Sequence, residues 1–170
     1  MARVFLSLGS NLGDRRRHLE AALAQLRTEI SVRVVTCSQV YETTPWPELG
    51  SPRETWHLNC AVEIETDLPP HRLLRLTQAI ESQSGRRALS GPTPEPASPR
   101  PLDIDILLYA DQVIAEDRLQ IPHPFLHLRR FVLVPLADIA PEFEHPTLYQ
   151  SIVDLLGELP GEGDVVPYPD

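Results

Sequence analysis

The first apolar run, Arg3 to Leu8, is short and is followed by Gly9-Ser10-Asn11-Leu12-Gly13, which predicts a strand running into a turn. Asp14 then suits the N-cap of a helix whose apolar positions Leu19, Ala22, Leu23 and Leu26 fall on one face. Val32 to Tyr41 is rich in β-branched residues and predicts a second strand. Thr43 to Thr55 carries three prolines and a glycine and reads as a loop. Leu58 to Thr66 alternates as a third strand. Pro69 opens a helix with Leu73, Leu76 and Ile80 at helical spacing and Pro70 in its first turn. Gly85 to Pro101 holds five prolines and two glycines with almost nothing apolar, so a long mobile loop is expected there. Leu102 to Tyr109 is the clearest strand of the chain. Beyond it come a short segment at Gln112 to Ile114, a helix over Arg129 to Ile139 and another over Thr147 to Leu156. Gly157 to Asp170 reads as a frayed tail.

Strand–helix–strand–strand–helix–strand over residues 3 to 109 is the order of a ferredoxin-like α/β sandwich of the α+β class. The sheet is expected to be antiparallel and covered by helices on one face, with extra C-terminal helices and the other face left for a ligand. The length of 170 residues fits a single domain, 1–170, with 85–101 as a catalytic loop.

A net charge of −9 argues against nucleic acid as a partner, because a basic face is the usual footprint. An anionic ligand is still allowed through a local arginine cluster. All 15 basic residues are arginine, which excludes a phosphate loop built around lysine and Schiff-base chemistry. Any grip on phosphate must come from guanidinium forks, backbone N–H groups and metal. Cys37 and Cys60 lie in apolar runs and read as buried free thiols. No run reaches the 18 or more apolar residues of a membrane helix, and Val4 to Leu8 is too short for a signal-peptide core. A cytoplasmic protein with no membrane partner is expected.

Within Leu102 to Leu108, strand alternation points Leu102, Ile104, Ile106 and Leu108 to the core and leaves Asp103 and Asp105 side by side on the other face. Carboxylates so close repel unless a cation lies between them, and magnesium suits a pair that leaves room for phosphate oxygens. A solvated acidic edge is the alternative. Arg100 precedes the strand, and Arg86 and Arg87 open the loop before it, the charge set that phosphoryl transfer requires. His123 and His127 are four apart, but Pro124 argues against a helix that would pair them on a metal. Trp46, Trp56, Phe131 and Asn59 are candidates for the walls and polar edge of a flat-ligand pocket, with ordinary packing as the alternative.

These stretches together resemble the 6-hydroxymethyl-7,8-dihydropterin pyrophosphokinase family. The resemblance spans roughly residues 3 to 150 and is most specific at Arg100-Pro101-Leu102-Asp103-Ile104-Asp105-Ile106-Leu107. Supporting matches are Leu8 to Gly13, Tyr41-Glu42-Thr43, Leu58-Asn59, Gln78 to Glu81, Gly85-Arg86, Ile121-Pro122-His123 and Arg129-Arg130-Phe131. The resemblance implies transfer of pyrophosphate from ATP to a pterin alcohol in folate biosynthesis. Asp103 and Asp105 would then bind two magnesium ions (Mg2+). Gln78, Glu81, Arg100, Ile106, Arg118, His123 and Arg129 would contact the nucleotide. Asn59, with Thr43 and Thr44, would read the pterin edge, and Phe131 would stack on its ring beside Trp46. Arg86 would help close the loop over the phosphates.

The chain departs from the family pattern in several places, among them an elongated, proline-laden loop with Ser98-Pro99 before Arg100. His57 stands where the family has an aromatic residue that sandwiches the pterin, with Trp56 as the alternative wall. Gly85-Arg86-Arg87-Ala88 shifts the second loop arginine by one position, so Arg87 is expected to replace it. A catalytically inactive pterin- or nucleotide-binding relative is the alternative function, and a ligand-binding module of the same fold is a third; ATP-dependent release of AMP separates the first from both.

Overall fold

The computed structural model describes residues 1–45, 52–85, 100–161 and 165–169. Its strands are β1 (Ala2–Ser10), β2 (Val32–Cys37), β3 (Tyr41–Thr43), β4 (His57–Thr66), β5 (Asp103–Tyr109), β6 (Ile114–Glu116), β7 (Leu119–Ile121) and β8 (Val165–Pro167). Its helices are α1 (Arg15–Thr28), α2 (Pro70–Gln83), α3 (Arg130–Ile139) and α4 (Ile152–Glu158). The main sheet runs β5-β1-β4-β3-β8, with β2 also on β4, and its pairings are antiparallel. With β1 and β4 central and two helices between the strands, this is the expected ferredoxin-like arrangement.

Strand alternation divides the core in two. On one face Val4, Leu6 and Leu8 of β1 meet Leu19 and Leu26 of α1 and Leu73 and Ile80 of α2. The Asp14 carboxylate caps α1 by accepting from the Arg17 N–H at 3.1 Å, as its position predicts. On the other face Phe5, Ala61 and Leu107 pack under Val132, Leu133 and Leu136 of α3 and Ile152 and Leu155 of α4. The C-terminal helices therefore cover part of that second face and leave the part at the β1 end near Gly9.

Four expectations change. The strand expected over Val32 to Tyr41 breaks at Ser38 into β2 and β3, which pair with opposite halves of β4. Leu108 leaves the row of Leu102, Ile104 and Ile106: the β1–β5 register shifts between Phe5 and Leu6, and this bulge sends Leu108 into the second cluster. The helix expected from Thr147 begins only at Ile152. The N–H groups of Thr147 and Leu148 donate to His145 Nδ1 at 3.3 and 3.2 Å, Tyr149 has φ 57°, and Ser151 Oγ caps the helix by accepting from the Asp154 N–H. The tail is not frayed throughout, since β8 pairs with β3. Cys60 is buried and Cys37 half-buried, both free, and burial raises the Cys60 thiol to about 12. Among the described residues no helix is long and apolar enough to cross a membrane.

Candidate active site

The open half of the second face is organised by sheet register. Gly9 lies between Asp103 of β5 and Asn59 of β4, and Asn59 in turn faces Tyr41 of β3. Residues directly opposite one another share a face, so these four form one row across four strands. At the usual strand spacing Asp103 and Asn59 stand ~10 Å apart, with Gly9 between them. One row further in, Ser7 faces Asp105 and Ala61.

Asp103 and Asp105 project together from β5, their side chains 35% and 37% exposed. Arg100 Nη1 donates to Asp103 Oδ1 at 3.0 Å. The arginine is itself anchored: the Asn11 N–H donates to the Arg100 carbonyl at 3.2 Å, and the Arg100 N–H donates to Asn11 Oδ1 at 2.7 Å. Between the two aspartates, the Ile104 N–H donates to the buried carboxylate of Glu81 at 2.8 Å, which ties α2 to the free edge of β5. His123 Nε2 stands 3.8 Å from Asp105 Oδ2, and the His123 N–H donates to the Leu107 carbonyl at 2.9 Å.

The electrostatics suit a cation. Desolvation, followed by the Asp103 charge, raises the Asp105 carboxyl to about 7, with Glu81 adding to the rise and Arg129 and Arg100 opposing it. Desolvation, with Arg129 second, lowers His123 to about 4, so its imidazole is neutral at pH 7. A divalent ion on the carboxylate pair would remove the repulsion that raises Asp105. Among the described residues no group of three or more His, Cys, Asp and Glu side chains is arranged to hold a metal. An ion on this pair would leave positions for water or phosphate oxygens, as magnesium does.

At the other end of the row, Asn59 is buried and its Nδ2 donates to Thr43 Oγ1 at 2.7 Å. A Cβ at position 9 would lie 2.7 Å from Asn59 Oδ1, so glycine there makes room for the amide. His57 pairs with Thr43 and shares the face of Asn59 by alternation, whereas Trp56 is buried with Arg53 5.4 Å from its ring centre. Of these two residues, only His57 shares the face of the Asn59 row. Desolvation lowers the His57 imidazole, with Asp103 opposing and Arg15 and Arg100 adding to the fall. Arg15 binds the Trp56 carbonyl at 2.6 Å and Glu42 at 2.9 Å, bracing the start of β4. Phe131, half-buried at the start of α3, lies beneath the Arg129 guanidinium at 5.7 Å.

Some expected site residues fall elsewhere. Arg86, Arg87 and Trp46 lie outside the described residues. Gln78 is exposed on α2, and Arg118 is exposed at the turn of the β6–β7 hairpin. The Ile106 side chain belongs to the core, so its contribution would be its backbone, which alternation turns outward from β1 as it does that of Ile104. Thr44 follows β3, half-buried. The sequence reading missed Asn11 and Arg15 as bracing residues, because their partners Arg100 and Trp56 are distant in the chain.

Paired carboxylates backed by arginines, two strands from a buried amide, suit the joining of a phosphate donor to a small polar acceptor. The comparisons agree with that class. Residues 5–141 match the family model of 7,8-dihydro-6-hydroxymethylpterin-pyrophosphokinase, and the chain belongs to this family. It is 42% identical over 142 residues to the 2-amino-4-hydroxy-6-hydroxymethyldihydropteridine pyrophosphokinase of Methylorubrum extorquens, covering 84% of this chain and 85% of that one. It is 43% identical over 141 residues to the Bacillus subtilis protein of the same name, covering 82% and 79%. In fold it is similar to the Plasmodium falciparum HPPK-DHPS crystal structure, with a TM-score of 0.67 at 17% identity, covering 93% of this chain and 43% of that one.

Proposed function

We propose that this chain transfers pyrophosphate from ATP to the hydroxymethyl group of 6-hydroxymethyl-7,8-dihydropterin, releasing AMP, in the cytoplasmic synthesis of folate. The observation that supports the reading is the Asp103–Gly9–Asn59 row, which sets a carboxylate two strands from a buried amide on one sheet face. In the reaction the hydroxymethyl oxygen attacks the β-phosphorus, the bond from that phosphorus to the α,β-bridging oxygen breaks, and the hydroxyl proton is released. Two magnesium ions held by Asp103 and Asp105 would neutralise charge building on the phosphates.

Arg100, oriented by Asn11 and Asp103, and Arg129 face the same phosphates. His123, neutral at pH 7, contacts the nucleotide as a hydrogen-bonding group, and Ile106 does so through its outward backbone. Glu81 acts through the Ile104 N–H, holding the edge between the two aspartates. Gln78 and Arg118 approach from the surface, and Arg86 and Arg87 are assigned to the phosphates by the family resemblance alone. On the acceptor side Asn59 reads the pterin edge, supported by Thr43 and Thr44. Phe131 and His57 enclose the ring. Thr43 already occupies one Asn59 donor at 2.7 Å, which orients the amide and leaves its remaining groups for substrate.

The test is nucleotide chromatography after mixing the protein, MgATP and 6-hydroxymethyl-7,8-dihydropterin. AMP formed one-for-one with pyrophosphorylated pterin, and only with magnesium, is expected. ADP in its place, or no nucleotide product, overturns the proposal.

A further inference from the structure

The match to the family model ends at residue 141, yet the chain continues to a strand that docks beside the acceptor end of the site. Thr43 faces Val165, Glu42 faces Val166 and Tyr41 faces Pro167. The Tyr168 N–H donates to the Val40 carbonyl at 2.8 Å, which continues the same ladder by one residue. Antiparallel pairs alternate between hydrogen-bonded and non-bonded, so the Val40–Tyr168 bond makes Glu42–Val166 the next bonded pair. Pro167 then falls on the non-bonded pair with Tyr41, where its missing N–H costs no ladder bond. Arg16 Nη1 adds a clamp from α1 by donating to the Pro169 carbonyl at 3.0 Å.

The strand this secures is only three residues long, and each of its residues has a different anchor. Thr43 holds Asn59 through its hydroxyl. Glu42 accepts from Arg15, which also binds the Trp56 carbonyl next to His57. Tyr41 donates to Asp138 of α3 at 2.8 Å, and α3 begins at Arg130 next to Phe131. The backbones of Tyr41 and Thr43 turn toward β4, and that of Glu42 turns toward β8. Without β8, Glu42 would lose its backbone partners and β3 would be an edge strand secured on one side.

Resting on the reading of Asn59 and His57 as acceptor contacts, we propose that β8 is a positioning strap for the pterin half of the site. By fixing the Glu42 backbone it sets the Thr43–Asn59 and Arg15–Trp56 contacts, while the nucleotide half on β5 is held independently by Glu81 and Asn11. A substitution that breaks the strap should therefore impair one substrate and spare the other.

The experiment uses the full chain with Val166→Pro, which removes the N–H paired with Glu42, and Val166→Ala, which keeps it. KM is measured separately for 6-hydroxymethyl-7,8-dihydropterin and for ATP, with kcat and thermal melting recorded. Val166→Pro is expected to raise the pterin KM about tenfold with the ATP KM within about twofold of wild type, and Val166→Ala to match wild type. Equal changes in both KM values, or none in either, overturn the proposal. Should Val166→Pro not fold, Arg16→Ala, which releases Pro169 at the surface, takes its place; it must show the same one-sided rise, at least twofold, or the proposal fails. Failure of the functional reading is seen separately, as absence of AMP with the wild-type chain.

Discussion

The Asp105 carboxyl is pulled two ways: desolvation and Asp103 favour its proton, and Arg129 and Arg100 favour its charge. The first pair prevails, and its proton is lost near pH 7 rather than at the ordinary 3.8. A bound cation must displace that proton, so apparent magnesium affinity is expected to fall about fivefold between pH 7 and pH 6. Activity titrated with magnesium at the two pH values checks this; His123, already neutral above about 4, adds no proton step there. The linkage sign gives a second expectation. A group whose pKa is raised by folding contributes stability that is present below its unfolded value and lost as pH rises through its folded value. The metal-free protein should therefore lose stability between about pH 4 and 7 from this group, and Asp105→Asn should melt no lower than wild type at pH 8 while losing nearly all activity. Differential scanning calorimetry without magnesium, paired with an AMP assay, reads both. Gly9 offers a steric case. Gly9→Ala would put a methyl 2.7 Å from Asn59 Oδ1, opposite a backbone that β4 and β5 both hold. A loss of about 1–3 kcal/mol in a urea melt, with a pterin KM raised at least tenfold, is expected.

The elements differ in how far local pattern could reveal them. Two aspartates among alternating aliphatic residues made β5 and its charged face readable, because both follow from the period of a strand. The Asp14 cap and the buried stripes of α1 and α2 were readable for the same reason. Where pattern failed, a distant partner decided the outcome. Three-residue β8 carries no signal of its own, and only its pairing with β3 makes it a strand. The break between β2 and β3 exists because β4 is long enough to take both. Leu108 changed faces because the β1–β5 ladder slips at Phe5. The site follows the same rule. Asp103, Asp105 and Asn59 stood out in sequence, whereas Asn11 and Arg15 act on backbone groups far along the chain. The Asn11 clamp has an element-level consequence, since its two bonds tie the end of β1 to the entrance of β5. Asn11→Ala would remove the side-chain acceptor of the Arg100 N–H while keeping the backbone bond to the Arg100 carbonyl, and is expected to lower kcat severalfold with the pterin KM nearly unchanged. Steady-state kinetics in both substrates decide it.

Across the whole molecule, one sheet supports two half-sites from opposite directions. The carboxylate end is braced by α2 through Glu81 and Ile104, and the amide end by α1 and α3 through Arg15 and Tyr41. They meet at Gly9, whose missing side chain leaves the row open in the middle. Each ligand bound to the folded state stabilises it according to its own concentration and affinity, about 2.7 kcal/mol at one hundred times the dissociation constant. For a chain of this size that is a rise in melting temperature of several degrees, well within calorimetric reach. The two-ended construction makes these increments separable by substitution. Asp103→Asn should abolish the shift given by MgATP while retaining most of that given by the pterin. Asn59→Ala should do the reverse, because Thr43 and the β4 backbone it leaves behind do not support the carboxylate pair. A site in which both substrates shared one set of contacts would lose both shifts with either substitution. Melting curves of the two variants with each substrate alone distinguish the cases, and loss of both shifts in both variants would refute the division of the row into a nucleotide end and a pterin end.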